Sequence, residues 1–194
     1  MKPSVSHIFN SVVGVGPQGK RSVLARVSLV DYFGNILLNT FVRVIERVTD
    51  FRAHVTGISE HHLSSKDAMP FGKCRQLVIK LIRNKLLVGH ALQNDLTVLG
   101  IHHPWYDIRD TSTFYLYQKK NRFGVTIGPS RLRDLAKLHL GIDIQKSGQA
   151  HCPCEDACAA MALYQKNQSH FDYLVECQRQ RMMFRNPMGP SMRH

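Results

Sequence analysis

The sequence predicts an α/β fold, a mixed five-stranded sheet flanked by helices, and three observations carry that expectation. The opening third alternates apolar and polar positions in hairpin order, with Val23, Ala25, Val27 and Leu29 set against Arg26 and Ser28. From Pro70 onward the period becomes helical, and short apolar runs alternate with amphipathic stretches. Finally, 194 residues with a hydrophobic fraction of 43% suit one domain with a filled core and argue against extended disorder.

The elements follow in order. Val5 to Val13 reads as a first strand, ended by the Gly14-Val15-Gly16-Pro17 turn. Ser22 to Val30 is the second, and Asp31-Tyr32-Phe33-Gly34-Asn35 turns the chain into a third from Ile36 to Val44. Ser59 caps a short helix through Leu63. Pro70 starts a longer one, where Phe71, Cys74, Leu77, Val78, Leu81 and Ile82 recur at helical spacing. Leu86 to Gly89 is wholly apolar, as a central strand buried on both faces should be. A helix from Leu92 to Leu99 and a fifth strand from Tyr106 to Arg109 follow. Gln118 to Ser130 is polar, basic and glycine-containing, and reads as a mobile loop. Arg131 to Leu140 is helical, with Gly141 at its C-cap. Pro153 begins a further helix with Cys154, Ala157, Cys158, Met161 and Tyr164 on one stripe. The domain is expected to span residues 1–178, with 179–194 as a basic, disordered tail.

Composition narrows the function. No run of about 18 apolar residues is present, so no membrane span or membrane partner is expected. The first residues lack the apolar core of a secretory signal, and five cysteines without framework spacing fit a reducing, intracellular compartment. The net charge of +12 gathers at 73–85, 119–137 and 179–193, a field that attracts polyanions, nucleic acid first among them.

The candidate chemistry sits on three residues. Asp95 lies on an otherwise apolar helical face, where a carboxylate is costly without a cation or donor. Asp156 sits in the first turn after Pro153, where the helix dipole favours an anion. His151, just upstream, could take a proton from a bound water near neutral pH. Each has a plain structural alternative: a capped or Arg-paired acid, a dipole-stabilised acid, and an exposed loop histidine. His151, Cys152, Cys154 and Cys158 could suggest zinc, but the spacing is not that of paired knuckles, and Cys154 and Cys158 fit a buried stripe. Tyr115, Tyr117 and Phe123 interleave with Lys119, Lys120 and Arg122, a mix that would stack bases and neutralise phosphates of a single strand, or would form an ordinary basic loop.

Taken together, the motifs are specific. Gly89-His90-Ala91-Leu92 with Asn94-Asp95, Arg109-Asp110-Thr111-Ser112, Asp134-Leu135-Ala136 with Leu140-Gly141-Ile142-Asp143-Ile144-Gln145, and His151 with Asp156-Ala157 occur in fixed order. So do Leu24-Ala25-Arg26-Val27-Ser28, Val48-Thr49-Asp50-Phe51-Arg52 and Val55-Thr56-Gly57-Ile58. From about Val12 to about Tyr164 the chain resembles the DEDDh class of 3′-to-5′ exonucleases, in the branch of the RNA exonuclease 4 type and the interferon-stimulated exonuclease. The resemblance implies a ribonuclease-H-like exonuclease fold and two Mg²⁺ or Mn²⁺ ions. It implies a single-stranded RNA end, or a DNA end, as partner, and a place in nuclear or nucleolar RNA processing, ribosomal RNA included. It maps Asp95 and Asp156 onto metal ligands and His151 onto the general base.

It also exposes a gap. The class carries Asp-x-Glu immediately before a Met-Val-Gly-x-Gly run, and Val12-Val13-Gly14-Val15-Gly16 aligns with that run. Phe9 therefore stands where the aspartate should be and Ser11 where the glutamate should be, and the first acid of the chain is Asp31. Two carboxylates do not make a two-ion clamp, so catalysis is expected to be severely impaired or absent. Two explanations fit. Either the domain is a pseudoenzyme that keeps the cleft for binding nucleic acid or as a scaffold, or this N-terminus is a truncated or misassigned start. Phe9-Asn10-Ser11 can be encoded by pyrimidine-rich codons followed by AG, as at an intron acceptor, and a full-length isoform would then be an active exonuclease.

Overall fold

A computed structural model describes residues 5–146 and 148–185. Strands β1 (Val5–Val15), β2 (Arg21–Asp31) and β3 (Ile36–Arg43) form the expected antiparallel run. The β2–β3 turn is fixed by Asp31, whose Oδ1 accepts from the N–H groups of Phe33 and Asn35, and by Gly34 at φ 85°. On its other side β1 pairs in parallel with β6 (Leu86–Gly89), and β6 pairs in parallel with β7 (Ile108–Asp110).

Among the described residues the sheet has seven strands rather than five: β5 (Met69–Pro70), β3, β2, β1, β6 and β7 lie in that order, and β4 (Val48–Asp50) pairs with the far end of β1. The additions are β4 and β5, of three and two residues. Stretches that short carry no readable alternation.

Helices cover both faces. After the short α1 (Ala53–Thr56) and α2 (Glu60–Ser64), α3 (Phe71–Ile82) buries Cys74, Val78 and Ile82. With α4 (Leu92–Leu99) it packs Leu92, Leu96 and Leu99 against Ile8, Val27, Leu29 and Leu87 of the sheet. The opposite core joins Val5 and Val88 to α5 (Leu132–Leu135), α6 (Pro153–Lys166) and α7 (Gln168–Arg185). A ribonuclease-H-like arrangement, mixed sheet between helices, is the result.

Five expectations are corrected. Residues 118–130 form a two-stranded hairpin, β8 (Gln118–Lys120) with β9 (Thr126–Pro129), not an irregular loop. The helix expected from 131 to 140 is one α turn followed by a π turn, Ala136–Leu140, though Gly141 does close it at φ 72°. Residues 105–107 are a 3-10 turn, so β7 starts two residues later than expected. On α6, Cys158 is exposed and Cys154 half-buried, because Ala157, Ala160, Met161 and Tyr164 take the inner face. Residues 179–185 of the expected tail continue α7, and 186–194 lie outside the described residues.

Candidate active site

The site is organised by where β1 outruns its neighbour. β6 pairs only with Val5 to His7 and β4 only with Gly14 and Val15, so between Ile8 and Val13 that edge of β1 has no strand partner among the described residues. The start of α4 fills the opening. Asp95 Oδ1 accepts the backbone N–H of Asn10 at 3.0 Å, and the Asn10 side-chain amide donates to the Asp95 carbonyl at 3.2 Å.

A second carboxylate holds α4 in place. Asp110, at the end of β7, accepts from the N–H groups of Ala91 (2.9 Å) and Leu92 (2.8 Å), the first donors of the helix. It also accepts the N–H and hydroxyl of Ser112. Ala91 is held at φ 61°, a conformation that costs a non-glycine residue about 1–2 kcal/mol, and the Asp110 bonds offset that cost. Gly89 is required just before it, since a Cβ there would lie 2.3 Å from the Leu92 side chain. Thr111 bonds the Gly89 carbonyl and the ring of His90, and His90 also bonds the backbone at Ser130, at the foot of the β8–β9 hairpin.

Electrostatics set both acids apart from ordinary carboxylates. Burial pushes the Asp95 pKa up to about 8, the Asn10 N–H opposes the shift and the nearby Asp110 charge adds to it. Asp156 is fully buried in the first turn of α6, and burial raises its pKa to about 6, opposed by Gln145 and assisted by Glu155. Gln145 donates to Asp156 Oδ1 at 3.0 Å, while Oδ2 has no hydrogen-bond partner among the described residues. His151 is half-buried, its N–H bonded to the Val55 carbonyl at 2.7 Å. Burial lowers its pKa first, with Arg133 and His54 assisting and Glu155 opposing.

A cavity of about 470 Å³ brings Phe9, Asn10, His90, Ala91, Asn94 and Asp95 together. Asp156 and His151 are not among its walls. Phe9 and Ser11 are two apart on an unbroken stretch of ladder and so share one face of β1; Ser11 is buried and Phe9 half-buried. Neither supplies a ligand oxygen of the kind a divalent cation takes from a carboxylate. Among the described residues no three His, Cys, Asp or Glu side chains converge to hold an ion. The donor set therefore does not fit a two-ion cluster.

The segment is ill-matched to its place in a second way. Among the described residues five buried side-chain atoms lack partners, and four belong to Ser6, His7 and Asn10 on β1; the fifth is Asp156 Oδ2. His7 is fully enclosed with both ring nitrogens unpaired among the described residues, and burial, with His90 nearby, lowers its pKa to about 3.

The hairpin residues divide. Lys119, Lys120 and Arg122 are exposed, Arg122 lies over the exposed Phe123 ring at 4.7 Å, and Tyr115 is 44% exposed. Tyr117 is not a surface aromatic. Its ring is in the core and its hydroxyl donates to the Leu163 carbonyl at 2.8 Å, so it cannot stack on a base. Gln145, Asn10 and His7 were not singled out from the sequence. Only the absence of an acid from residues 1–30 pointed to that strand.

No family model matches the chain. It is similar to RNA exonuclease 4 of Mycosarcoma maydis, 44% identical over 167 residues, which cover 86% of this chain and 43% of that protein. Similarity to RNA exonuclease 4 of Kluyveromyces lactis is 44% over 162 residues, covering 84% and 53%. For the Saccharomyces cerevisiae protein of that name it is 41% over 160 residues, covering 82% and 53%. The chain spans about half the length of these relatives. Among solved structures it resembles the Saccharomyces cerevisiae Pan2 pseudoubiquitin hydrolase–RNA exonuclease module in complex with AAUUAA RNA. The TM-score is 0.72 at 25% identity, over 97% of this chain and 33% of that one. The Neurospora crassa Pan2 catalytic unit gives 0.71 at 21%, over 90% and 29%.

Proposed function

We propose that this chain, which is similar over about four-fifths of its length to proteins named RNA exonuclease 4, binds single-stranded RNA 3′ ends but hydrolyses them poorly or not at all. The carrying observation is Phe9 on the wall of the Asp95 cavity, at the position where the class places its first acid. We assign Asp95 and Asp156 as what remains of a Mg²⁺ or Mn²⁺ ligand set, and His151 as the remaining general base. Such a set lacks the oxygens that would support attacking and leaving groups together.

Tyr115, Lys119, Lys120 and Arg122 are proposed RNA contacts, since the hairpin foot touches His90 at the cleft. The domain is taken to run through α7, and its setting to be nuclear or nucleolar RNA processing, with the net charge of +12 favouring a polyanion.

The test is hydrolysis of a 5′-labelled single-stranded RNA in Mg²⁺ and in Mn²⁺, by the chain as written and by Phe9→Asp/Ser11→Glu. The restored variant is expected to give a 3′-to-5′ ladder and the unaltered chain none. Equal ladders from both would overturn the impairment.

A second reading has its own observation. Orphaned polar atoms gather on Ser6, His7 and Asn10, so this strand is chemically foreign to the fold around it. An isoform with Asp-x-Glu in this strand would then be the active exonuclease. Sequencing of full-length transcripts tests this: if every transcript encodes Phe9-Asn10-Ser11, no such isoform exists.

A further inference from the structure

The Asp95 cavity does not end at α4. It shares Ser22, Thr97 and Val98 with a second cavity of about 390 Å³, which continues over the outer face of α4. The far walls of that cavity are the start of β2, the end of β3 and the first residue of α3. Each space lies within the roughly 300–1,000 Å³ that takes a small molecule or one residue of a polymer.

The chemistry of the far cavity suits a nucleotide. Phe71 opens α3 with 41% of its surface exposed, and Ile45, on the β3–β4 connection, is 95% exposed. Both are apolar groups that the fold leaves uncovered, and both line this cavity. Two guanidiniums, Arg21 and Arg43, stand against one carboxylate, Glu46. Arg21 pairs with Glu46, which cancels that acid. Arg43 makes no hydrogen bond or ion pair among the described residues, so its charge is available to an incoming anion. An aromatic face beside an unpaired cation is what single-strand binding requires: the ring stacks a base of any identity and the cation meets a phosphate.

Resting on the RNA-binding reading above, we infer that this second cavity is the seat of the penultimate nucleotide of a single-stranded RNA whose 3′-terminal nucleotide occupies the Asp95 cavity. Phe71 stacks its base and Arg43 takes its phosphate. The strand then leaves past the start of β2 and the end of β3, and the β8–β9 hairpin adds general attraction without seating this nucleotide.

Binding of 5′-UMP, diuridylate and hexauridylate, each in Mg²⁺, tests the assignment. The chain as written should hold the dinucleotide at least ~10-fold more tightly than the mononucleotide. Phe71→Ala and Arg43→Ala should each remove most of that gain while leaving 5′-UMP unchanged, and Arg43→Ala should also flatten the salt dependence for hexauridylate. Both residues are exposed, so these variants keep the core; Ile45→Asp, which sets a negative charge in the same cavity, should weaken the dinucleotide as well. The triple change Lys119→Ala/Lys120→Ala/Arg122→Ala should weaken hexauridylate but preserve the gain from mono- to dinucleotide. If the groove variants keep the gain and the hairpin variant loses it, the seat is on the hairpin and the assignment is wrong. A chain that binds none of the three overturns both this inference and the RNA-binding reading; a chain that binds hexauridylate with no dinucleotide gain overturns this inference alone.

Discussion

Asp95 Oδ1 meets the backbone N–H of Asn10 at 3.0 Å, so one carboxylate closes the gap left where β6 stops pairing with β1. The bond ties α4 to the central strand, yet the acid that makes it is poorly solvated, with a pKa raised to about 8 by burial. A carboxyl whose folded pKa lies above its unfolded value binds more protons when folded. Its contribution is therefore full below about pH 4 and is lost as the pH rises towards 8. Asp95→Asn keeps an acceptor for Asn10 without the charge. It should match the wild type near pH 4 and become the more stable protein by about 1–3 kcal/mol at pH 8. Urea unfolding of both proteins at the two pH values checks this; a constant difference would show that Asp95 does not titrate as described.

His7 gives the opposite sign. It is enclosed between Val30 and Val88 on neighbouring strands, with neither ring nitrogen paired among the described residues and a pKa lowered to about 3. The unfolded chain takes up a proton near pH 6.5 that the folded chain refuses, so this residue costs stability as the pH falls from 6.5 towards 3. His7→Leu should stabilise by about 1–3 kcal/mol at pH 7.5, because unsatisfied polar atoms leave the core. The advantage should grow by up to ~1.4 kcal/mol per pH unit below 6.5. Thermal unfolding of the pair at pH 7.5 and 5.5 measures it, and a shrinking advantage would contradict the assignment.

These two residues show what the sequence could and could not disclose. The spans Leu86–Gly89 and Leu92–Leu99 were legible to the residue, because an apolar run buried on both faces and an amphipathic helix each impose a period. β8 and β9 were not, since strands solvated on both faces have no apolar alternation to read. Tyr117 looked like a surface aromatic among lysines. Its burial depends on Leu163 and Asn167, 46 and 50 residues away, which no local pattern reports. The motifs around them drew attention to Asp95, Asp156, His151, Phe9 and Ser11; of these, Asp95 and Phe9 share one cavity, which Asp156 and His151 do not line. The second cavity was not legible at all, because Ser22, Arg43, Phe71 and Thr97 come from four separate elements.

Asp110 is the acid on which the position of α4 depends. Its carboxylate satisfies two helix N–H groups and both donors of Ser112. Asp110→Ala leaves those donors without their acceptor and Ala91 in a left-handed conformation with nothing to hold it. A loss of about 2–4 kcal/mol is expected, with α4 loosening before the rest of the fold. Hydrogen exchange should show early deprotection of Leu96 and Leu99 in the variant. Uniform deprotection across β1, β2 and α6 would mean that Asp110 supports the whole fold and not α4 in particular.

Arg109, next to it on β7, anchors the opposite side. Its Nε lies 2.7 Å from Asp172 Oδ1 on α7, its terminal nitrogen donates to the carbonyls of Tyr106 and Ile108, and the Tyr164 hydroxyl bonds the same carboxylate. The Arg109 side chain is 7% exposed and that of Asp172 34%. An isolated charge is costly when its partner goes, but Asp172 retains water on one side, which screens part of that penalty. Arg109→Met should therefore cost about 2–4 kcal/mol, below the full penalty for breaking a wholly buried pair. Changing both residues, Arg109→Met/Asp172→Leu, should recover about 1–3 kcal/mol of the summed single losses, since neither charge is then left alone. Denaturant midpoints for the two single variants and the double variant give the coupling. Strict additivity would mean that α7 is held by packing of Phe171 against Phe114, whose rings stack at 3.8 Å, and not by the ion pair.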